Sequence, residues 1–308
     1  MEKKNKKITR KEFLKKSSAG ITGLVALNVL KKSPLRLWGN SDSGLVKRVL
    51  GRSGIEPTVL GYGASRSMEP SLLMEALGSG INFIDTGLSY FNGNNQRMIG
   101  ETLQELRKDV IIQSKIRVRL RGSDSSEYTP GAIRKSMESD LQACLKALST
   151  DYIDIMLIHD PGEVDVLTNE TVMEFFAAAK MQGVIRAHGF SCHDEIPLLE
   201  IANESRFFDI IMLPYNHKGS YVHMNSGRSS EWDQPRVEVE LKKAHKNNLG
   251  IVAMKTCSAG PYVFKNSQAP SFQGALEWVL DHDFISAIAV AMSNRDEIQE
   301  NLRAARLG

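Results

Sequence analysis

Cysteine is scarce in this chain of 308 residues, which has only Cys144, Cys192 and Cys257. The three lie far apart and follow neither a C-x-x-C pattern nor a zinc-ligand spacing, so the sequence predicts neither a disulfide framework nor a metal cluster. The chain also lacks an uninterrupted apolar run of about 20 residues, the length that a membrane-spanning helix needs. We therefore interpret the three thiols as buried or inert side chains.

The body of the chain carries no excess of basic residues. Residues 1–45 hold eleven lysines and arginines against three acidic residues, a net charge of +8. Because the whole chain carries +3, the remainder carries −5. A nucleic-acid-binding domain needs a basic face, and a mildly acidic body therefore predicts no nucleic-acid partner.

The first 40 residues have the composition of an export signal. A basic start is followed by an apolar run from about Ala19 to Leu30 and then by a second basic pair, a layout typical of export signals rather than of spanning helices. The stretch TRKEFLKKSSAG resembles the twin-arginine export motif, with Lys11 in place of the second arginine, and no clear A-x-A cleavage site precedes Ser41. We expect residues 1–40 to contact the export machinery and to direct the protein to the periplasm. The alternative is a basic arm or an uncleaved anchor on a cytoplasmic protein.

From residue 46 onward, short apolar segments alternate with amphipathic ones. The strand candidates are residues 58–63, 81–86, 110–115, 152–160, 185–192, 209–216, 250–256 and 285–294. Between them, segments such as 129–149 and 235–248 repeat apolar residues at helical spacing. Eight strand–helix units predict an α/β fold, a closed (β/α)8 TIM barrel over residues 46–308. A doubly wound open sheet is the alternative, but GYGAS follows strand one and a G-x-G-x-x-G motif is absent.

Polar side chains stand at the carboxyl ends of three neighbouring predicted strands. Strand two ends in Asp85, strand three in Lys115 and strand four in His159, and Tyr90 follows on the loop after Asp85. Barrel enzymes place their chemistry at these strand ends. Because residues two apart on a strand share a face, the inward-facing sets are Ile81, Phe83 and Asp85; Ile111, Gln113 and Lys115; and Ile153, Ile155, Leu157 and His159. The pattern predicts that all four polar groups lie in one mouth.

These four residues and the motifs around them resemble the aldo-keto reductase family. The motifs GINFIDTGLSYF, VIIQSK, DYIDIMLIHDP, GFSCHD and LPYN follow one another in the family's order. They are preceded by LGRSGIEPTVLGYG, which resembles the family's N-terminal hairpin and first strand. The resemblance covers about residues 46–308. It implies a TIM barrel, an NAD(P)-dependent oxidoreductase, and a catalytic set made of Asp85, Tyr90, Lys115 and His159.

Each of the four residues has a chemical role in carbonyl reduction. A carbonyl that accepts a hydride develops negative charge on its oxygen and needs a proton donor there. A lysine cation stabilises a phenolate, so we expect Lys115 to make Tyr90 a better acid. Asp85 would pair with Lys115, and His159 would hydrogen-bond the substrate oxygen. Each residue alone also fits a structural role, and the interpretation depends on their convergence.

The resemblance implies a nicotinamide nucleotide, with NADP as the default and NAD as the alternative. Cys192 stands where relatives carry asparagine, and Met212 stands where many carry glutamine. Lys255 could meet the pyrophosphate or be a solvated strand-end lysine. Arg295 is the only cation in the segment AMSNRDEIQEN, which predicts modest discrimination between NADPH and NADH. The residues expected at the cofactor are Ser191, Tyr215, Lys255, Ser293, Asn294, Arg295, Glu300 and Asn301.

The substrate is expected to be a small carbonyl compound or a sugar. The resemblance implies a substrate pocket built by variable loops, and the candidate here is residues 217–234. Tyr221, His223 and Trp232 are predicted either to line a pocket for a polar or sugar-like ligand or to pack a surface loop. The chain ends at Gly308, soon after the last predicted helix. We therefore expect no long C-terminal loop over the substrate, and either an open mouth or a lid from a partner.

Three functional hypotheses stay open at this point. The first is a carbonyl reductase or alcohol dehydrogenase of the aldo-keto type. The second is a catalytically weak or inactive barrel that acts as a binding or scaffold protein, which the departures at Cys192 and Met212 favour. The third, a metal-dependent hydrolase, is disfavoured because strand one ends in GYG without the paired histidines that such sites commonly use.

Overall fold

The computed structural model describes residues 44–193, 196–222 and 227–306. The predicted export segment and His223 lie outside these ranges. The strands are β1 (Leu60–Gly63), β2 (Phe83–Asp85), β3 (Ile111–Ile116), β4 (Ile153–His159), β5 (Ile185–Ser191), β6 (Ile210–Pro214), β7 (Ser220–Val222), β8 (Ser229–Glu231), β9 (Gly250–Met254) and β10 (Ala287–Ala291). The α-helices are α1 (Pro70–Gly78), α2 (Asn94–Leu103), α3 (Pro130–Ala147), α4 (Val164–Thr168), α5 (Glu170–Met181), α6 (Ile196–Ser205), α7 (Gln234–Lys246), α8 (Phe272–Leu280) and α9 (Arg295–Ala305).

Eight of the strands close into a parallel barrel. Strands β1 to β6 are hydrogen-bonded in chain order, β9 follows β6, and β10 pairs with both β9 and β1. Each of the eight predicted strand segments contributes one barrel strand. The prediction of a (β/α)8 TIM barrel is therefore confirmed, and the doubly wound alternative is wrong. Strands β7 and β8 form a separate antiparallel hairpin inside the segment that was predicted as a loop.

The helices begin and end where local sequence signals place them. In α3, the Thr129 side chain accepts the backbone N–H of Ala132, and Pro130 occupies the first turn, where its missing N–H has no cost. The buried residues of this helix recur at intervals of three and four, namely Ile133, Met137, Leu141, Cys144 and Leu145. This spacing forms one apolar stripe, which lies against the outside of the barrel.

The core has an inner and an outer part. Phe83, Ile155 and Leu157 belong to a small cluster with other strand residues inside the barrel, which confirms their predicted inward orientation. Ile81 and Ile153 instead pack in the larger cluster that includes the helices. For Ile81 the reason is local, because β2 begins only at Phe83 and strand alternation does not extend before it.

The N-terminal hairpin predicted from the resemblance is present and closes the bottom of the barrel. Lys47 pairs antiparallel with Thr58, and the Leu50 N–H donates to the Ile55 carbonyl at 2.8 Å. The side chains of Leu50 and Ile55 are buried in the inner cluster. The opposite, carboxyl end of the barrel is thus the open end. Within the described ranges, no helix has the length and apolarity to cross a membrane.

Candidate active site

The strand register brings three predicted site residues to one end of the barrel. Asp85 lies opposite Gln113 on β3, and Lys115, two residues further on, lies opposite Leu157 of β4. His159 is the last residue of β4 and lies opposite Ser191 of β5. Because these strands are parallel neighbours, their carboxyl ends form one side of the barrel mouth.

A buried lysine joins the predicted acid and its partner. Lys115 Nζ donates to Asp85 Oδ1 at 2.5 Å, to the Thr86 carbonyl at 2.8 Å and to the Tyr90 hydroxyl at 3.1 Å. Lys115 is 1% exposed and Asp85 is 4% exposed. All three donor hydrogens of the ammonium group therefore have acceptors, which is what a buried charge requires. Gln113 Nε2 donates to the same Asp85 oxygen at 2.7 Å.

Tyr90 is positioned by an unusual turn after β2. It begins the one-turn 3-10 segment Tyr90–Gly93, in which Phe91, Asn92 and Gly93 all have left-handed backbone angles, with φ of 48°, 55° and 82°. A β-carbon at Gly87 would lie 3.4 Å from the edge of the Tyr90 ring. The loop thus bends back over the strand end and lays the phenol ring beside Lys115.

The pKa of Tyr90 differs from the expectation that Lys115 would make this phenol a stronger acid than a free tyrosine. Burial raises the pKa of Tyr90 above its ordinary value, and the charge of Lys115 lowers it without outweighing the burial. Burial opposes the charge on Lys115, but Asp85 and Tyr90 outweigh that effect and raise the pKa of Lys115. Lys115 therefore acts on Tyr90 in the predicted direction, but the phenol is more firmly protonated than a free tyrosine.

His159 completes the group as a neutral imidazole. Its ring lies edge-on to the Tyr90 ring, with 6.1 Å between the centroids. Burial, with the charges of Lys115 and Arg117, lowers the pKa of His159 to about 3. The Ser89 hydroxyl lies 3.5 Å from Nδ1, and a hydroxyl that donates there leaves the ring proton on Nε2.

A second polar group, which we call the rim cluster, consists of Asp160, His193, Tyr221 and Lys255. His193 Nδ1 lies 3.2 Å from Asp160 Oδ1, and Lys255 Nζ lies 4.4 Å from the centre of the Tyr221 ring. The hydrogen bond from His193 lowers the pKa of Asp160. Burial lowers the pKa of Lys255, which the charge of Asp160 opposes. Asp160 and His193 were missed from the sequence, although Asp160 directly follows β4 and His193 lies two residues after β5.

The residues at the ends of β5 and β6 lie close to the catalytic group. Ser191 is buried, lies beside His159 in the register and opposes Met212 across the β5–β6 pair. Cys192 is also buried, and its backbone N–H donates to the Met212 carbonyl. A serine hydroxyl is therefore present at this level of the mouth, while the two positions at which the resemblance implies amide side chains hold Cys192 and Met212.

Tyr215 does not lie in the mouth, contrary to the prediction. Its hydroxyl donates to Glu238 Oε1 at 3.1 Å, and its ring stacks on Trp278 with 5.3 Å between centroids. Burial raises its pKa, and the charge of Glu238 adds to the effect. Glu238 lies on α7 and Trp278 on α8, so the Tyr215 side chain points outward under the helices.

Residues of the segment after β10 form hydrogen bonds and an ion pair with acidic side chains. Ser293 donates its N–H and its hydroxyl to the Glu297 carboxylate, and Asn294 caps α9 by accepting the Glu297 N–H. Arg295 Nε lies 2.7 Å from Glu75 Oε2, although the Arg295 side chain is 76% exposed. The predicted cation is therefore present at this site, but with a carboxylate already beside it.

The last two predicted cofactor residues lie on α9. Asn301 is buried and Glu300 is half-buried. Burial raises the pKa of Cys257, just beyond β9, to about 11, and the charge of Glu300 adds to the effect. Among the described residues, no group of three or more histidine, cysteine or acidic side chains is placed to hold a metal ion.

Comparison with known proteins gives the family. The sequence profile of the aldo/keto reductase family matches residues 64–274. YqkF, an uncharacterised oxidoreductase of Bacillus subtilis, is 31% identical over 172 residues, which make up 54% of this chain and 55% of that protein. The match thus spans about half the length of that relative. L-galactose dehydrogenase of Arabidopsis thaliana is 27% identical over 300 residues, covering 83% of this chain and 87% of that protein.

Solved structures show the same fold. An aldo-keto reductase of Klebsiella pneumoniae in complex with NADPH is 19% identical, with a TM-score of 0.64 over 85% of this chain and 91% of that chain. At that identity the likeness concerns the fold alone. The family profile, however, covers more than half of this sequence. The chain belongs to the aldo/keto reductase family.

Proposed function

We propose that this protein is an NAD(P)-dependent oxidoreductase that interconverts a carbonyl and an alcohol, with Tyr90 as general acid and base. The observation that carries the proposal is the position of Lys115 Nζ, 2.5 Å from Asp85 Oδ1 and 3.1 Å from the Tyr90 hydroxyl. A purely structural ion pair has no need of a phenol on the open side of the lysine. Membership of the family supports the same reaction.

Each of the four proposed catalytic side chains has a separate role in proton transfer. In reduction, the Tyr90 hydroxyl gives its proton to the substrate oxygen, and the Lys115 ammonium stabilises the phenolate that remains. Neutral His159 donates a hydrogen bond to the same oxygen and orients it. Asp85 offsets the cost of burying the lysine. In oxidation the phenolate takes the proton back, so the same pair serves both directions.

The cofactor of this reaction is proposed to be NADP, with NAD as the alternative. A nicotinamide nucleotide supplies or accepts the hydride when bound. The residues that fit it are Ser191 beside His159, Lys255 at the end of β9 and Arg295 at the start of α9. The fold relative from Klebsiella pneumoniae holds NADPH, which supports NADP. Cys192 and Met212 offer weaker hydrogen bonds than amides, so the nicotinamide carboxamide has fewer strong partners here.

The substrate is proposed to be polar and sugar-like. The rim cluster places a carboxylate, an imidazole and an ammonium close to His159, with the ammonium over the buried ring of Tyr221. All three polar groups can hydrogen-bond the hydroxyl groups of a sugar-like substrate, which an apolar aldehyde lacks. The Arabidopsis relative is, by its name, a dehydrogenase of a sugar. A substrate panel tests this, with higher kcat/KM expected for hydroxylated aldehydes than for apolar ones of equal size.

Replacement of Tyr90 by phenylalanine tests the proposed mechanism. The change removes the proton donor and keeps the ring, so carbonyl reduction should fall by about a hundredfold or more, the usual worth of general acid catalysis. Nucleotide affinity, measured by nicotinamide fluorescence, should hardly change. Tyr152→Phe is the matched control, because Tyr152 lies under Arg107 before β4, at the opposite end of the barrel. A Tyr90→Phe enzyme with near wild-type rate would show that the mechanism is wrong.

A scaffold protein on the same barrel is the second candidate, favoured by Cys192 and Met212. Titration of the purified protein with NADPH and with NADH separates the two. An enzyme gives saturable nicotinamide fluorescence with at least one of the nucleotides and reduces carbonyl compounds. A scaffold that has lost turnover gives no reduction with any member of the substrate panel.

We further propose that residues 1–40 direct export by the twin-arginine route. Outside the cytoplasm there is no ready pool of reduced nicotinamide, and an exported enzyme that released its cofactor would stall. The twin-arginine route carries folded proteins with their cofactors inside. The exported barrel would therefore keep its nucleotide bound and regenerate it with a second substrate. The alternative is a cytoplasmic enzyme that uses the free nucleotide pool.

Cell fractionation followed by denaturation of the purified protein tests this proposal. Export with a retained cofactor predicts protein in the periplasm and nucleotide released on denaturation. Protein found only in the cytoplasm, or exported protein that releases no nucleotide, would rule out the retained-cofactor mechanism. Neither result would affect the assignment of the reductase site.

A further inference from the structure

One fully buried polar side chain beneath the proposed catalytic group has no assigned role. Gln113 is 0% exposed and points into the barrel, where the neighbouring side chains include Ile155, Leu157 and Met212. It lies on β3 opposite Asp85 and two residues before Lys115. An inward position in the interior of a TIM barrel is normally filled by a branched apolar side chain.

The amide nitrogen of Gln113 has two partners. Nε2 donates to Asp85 Oδ1 at 2.7 Å and lies 3.3 Å from Met212 Sδ on the far side of the barrel. The reverse amide orientation would place the carbonyl oxygen against the Asp85 carboxylate, where two acceptors repel. The hydrogen-bond network therefore assigns the nitrogen to Asp85.

The amide oxygen of Gln113, by contrast, has no hydrogen-bond partner among the described residues. A buried acceptor without a donor destabilises a fold, and an apolar side chain of similar size would avoid that cost. Stability therefore does not account for a glutamine here. The bond to Asp85 is the feature that an apolar residue could not supply.

We propose that Gln113 is a positioning residue for the proton donor, a role that rests on the proposed function. Asp85 Oδ1 accepts both Lys115 Nζ at 2.5 Å and Gln113 Nε2 at 2.7 Å. The two donors come from consecutive inward positions of one strand, and together they fix the carboxylate, whose terminal torsion is otherwise broad. A fixed carboxylate holds Lys115 Nζ at 3.1 Å from the Tyr90 hydroxyl.

Two substitutions at this position test the proposal. Gln113→Met keeps the size and removes the donor, so kcat should fall about tenfold, the rate equivalent of one hydrogen bond to a charged group. KM and the nucleotide dissociation constant should stay close to wild type, because Gln113 is 0% exposed and lies beneath the proposed catalytic group. Gln113→Glu restores a donor only while the introduced carboxyl is protonated. Its kcat should be near wild type at low pH and should fall as pH rises and the carboxyl ionises beside Asp85.

The charged and titratable groups that face this position are few. They are Asp85 from β2, Lys115 from β3, Tyr90 above them and His159 from β4. The inner-cluster residues of β5, β6, β9 and β10 do not titrate, namely Ala187, Ile210, Met212, Val252, Ala287 and Ala289. An alkaline loss of activity confined to Gln113→Glu therefore belongs to the introduced carboxyl.

Gln96 on α2 provides a matched control. It is also fully buried, its Nε2 donates to Ser114 Oγ at 2.6 Å and contacts Cys144 Sγ at 3.5 Å, and its Oε1 is also without a partner. Gln96→Met should change the melting temperature, but neither kcat nor its pH profile. This control distinguishes the effect on kcat of losing any buried amide from the effect of losing the hydrogen bond to Asp85.

The outcomes distinguish this inference from the proposed function. A lowered kcat in Gln113→Met, with recovery of Gln113→Glu at low pH, supports the positioning role. Wild-type kcat in Gln113→Met, or an equal loss in Gln96→Met, would overturn it. Tyr90→Phe is measured in the same assay, because a Tyr90→Phe enzyme that stays active contradicts the proposed function itself. An inactive Tyr90→Phe beside an unaffected Gln113→Met contradicts only the role of Gln113.

Discussion

At the scale of single residues, burial and charge act in opposite directions on the proton donor. Burial raises the pKa of Tyr90, and Lys115, 3.1 Å away, lowers it by a smaller amount. The phenol therefore stays protonated at neutral pH, which suits reduction because the acid must be loaded before hydride arrives. His159 is held neutral because burial lowers its pKa to about 3. A neutral imidazole can donate a hydrogen bond without competing for the proton.

These protonation states predict the pH profile of carbonyl reduction. The pKa of His159 is lowered to about 3 and the pKa of Tyr90 is raised above its ordinary value, so neither group changes charge near neutral pH and kcat should be flat there. Because burial raises the pKa of Tyr90, the phenol loses its proton only at a pH higher than that of a free tyrosine, and reduction should fall there as the acid is lost. Steady-state kinetics at saturating nucleotide measures the profile.

A limb of the pH profile near pH 6.5, that is, a change of kcat with pH there, would contradict the neutral state of His159, provided that it does not come from the rim cluster. His193→Gln is the control for this point, because His193 is the imidazole that pairs with Asp160. A limb that disappears in His193→Gln belongs to the rim cluster. A limb that persists belongs to His159.

At the scale of structural elements, the contact between α1 and α9 bears on nucleotide preference. Arg295 opens α9 and pairs with Glu75 of α1, with Nε 2.7 Å from Oε2. The first turn of α9 also carries Glu297, whose carboxylate accepts the N–H and hydroxyl of Ser293. A helix N-terminus attracts anions, but here two carboxylates lie close to the cation that a 2′-phosphate would need.

Substitutions of Arg295 and Glu75 should therefore change the affinity for NADPH in opposite directions. Arg295→Ala should weaken the binding of NADPH more than the binding of NADH. Glu75→Gln should strengthen the binding of NADPH by a few-fold, because an exposed ion pair is worth roughly 0–1 kcal/mol. Nicotinamide fluorescence titrations give both dissociation constants. Arg303→Ala, in the last turn of the same helix, should change neither. Equal effects of Arg295→Ala on the two nucleotides would show that Arg295 does not contact the 2′-phosphate.

At the scale of the whole molecule, closure of the barrel depends on a close approach of β5 and β6. A β-carbon added at Gly189 would collide with the backbone carbonyl of Ile210 on the paired strand. Both atoms belong to the sheet, so neither can move without loosening the β5–β6 pair. That pair carries Ser191 and Met212 to the mouth, and the site depends on it.

The same substitution at two glycines should have opposite effects on stability. Gly189→Ala should lower the free energy of unfolding by about 3 kcal/mol, because backbone must shift in a closed sheet. Gly131→Ala, in the first turn of α3 with nothing within 4 Å of the added carbon, should raise it by about 0.5 kcal/mol through helix propensity. Denaturant unfolding with and without nucleotide measures both. A Gly189→Ala protein as stable as the wild type would contradict the proposed constraint.

Much of the fold and part of the site followed from local pattern. The eight apolar segments were found because strand alternation and helical spacing are properties of neighbouring residues. The same alternation placed Asp85, Lys115 and His159 at the mouth, since a strand end determines which way its last side chain points. Tyr90 was added because its loop directly follows the end of strand two, although that loop has no periodic signal of its own. The left-handed turn at Phe91, Asn92 and Gly93 could not be predicted in this way.

Only the tertiary structure decided the contacts between residues far apart in the chain, because no short segment encodes strand register or helix docking. Arg295 meets Glu75 across two helices, Asp160 meets His193 across two strands, and Tyr215 turns outward to Glu238. The pKa of Tyr90 depends on how deeply the closed barrel buries it, which outweighs the neighbouring charge. The sequence by itself determined the barrel and the strand-end positions of the polar residues, since both follow from residues close together in the chain.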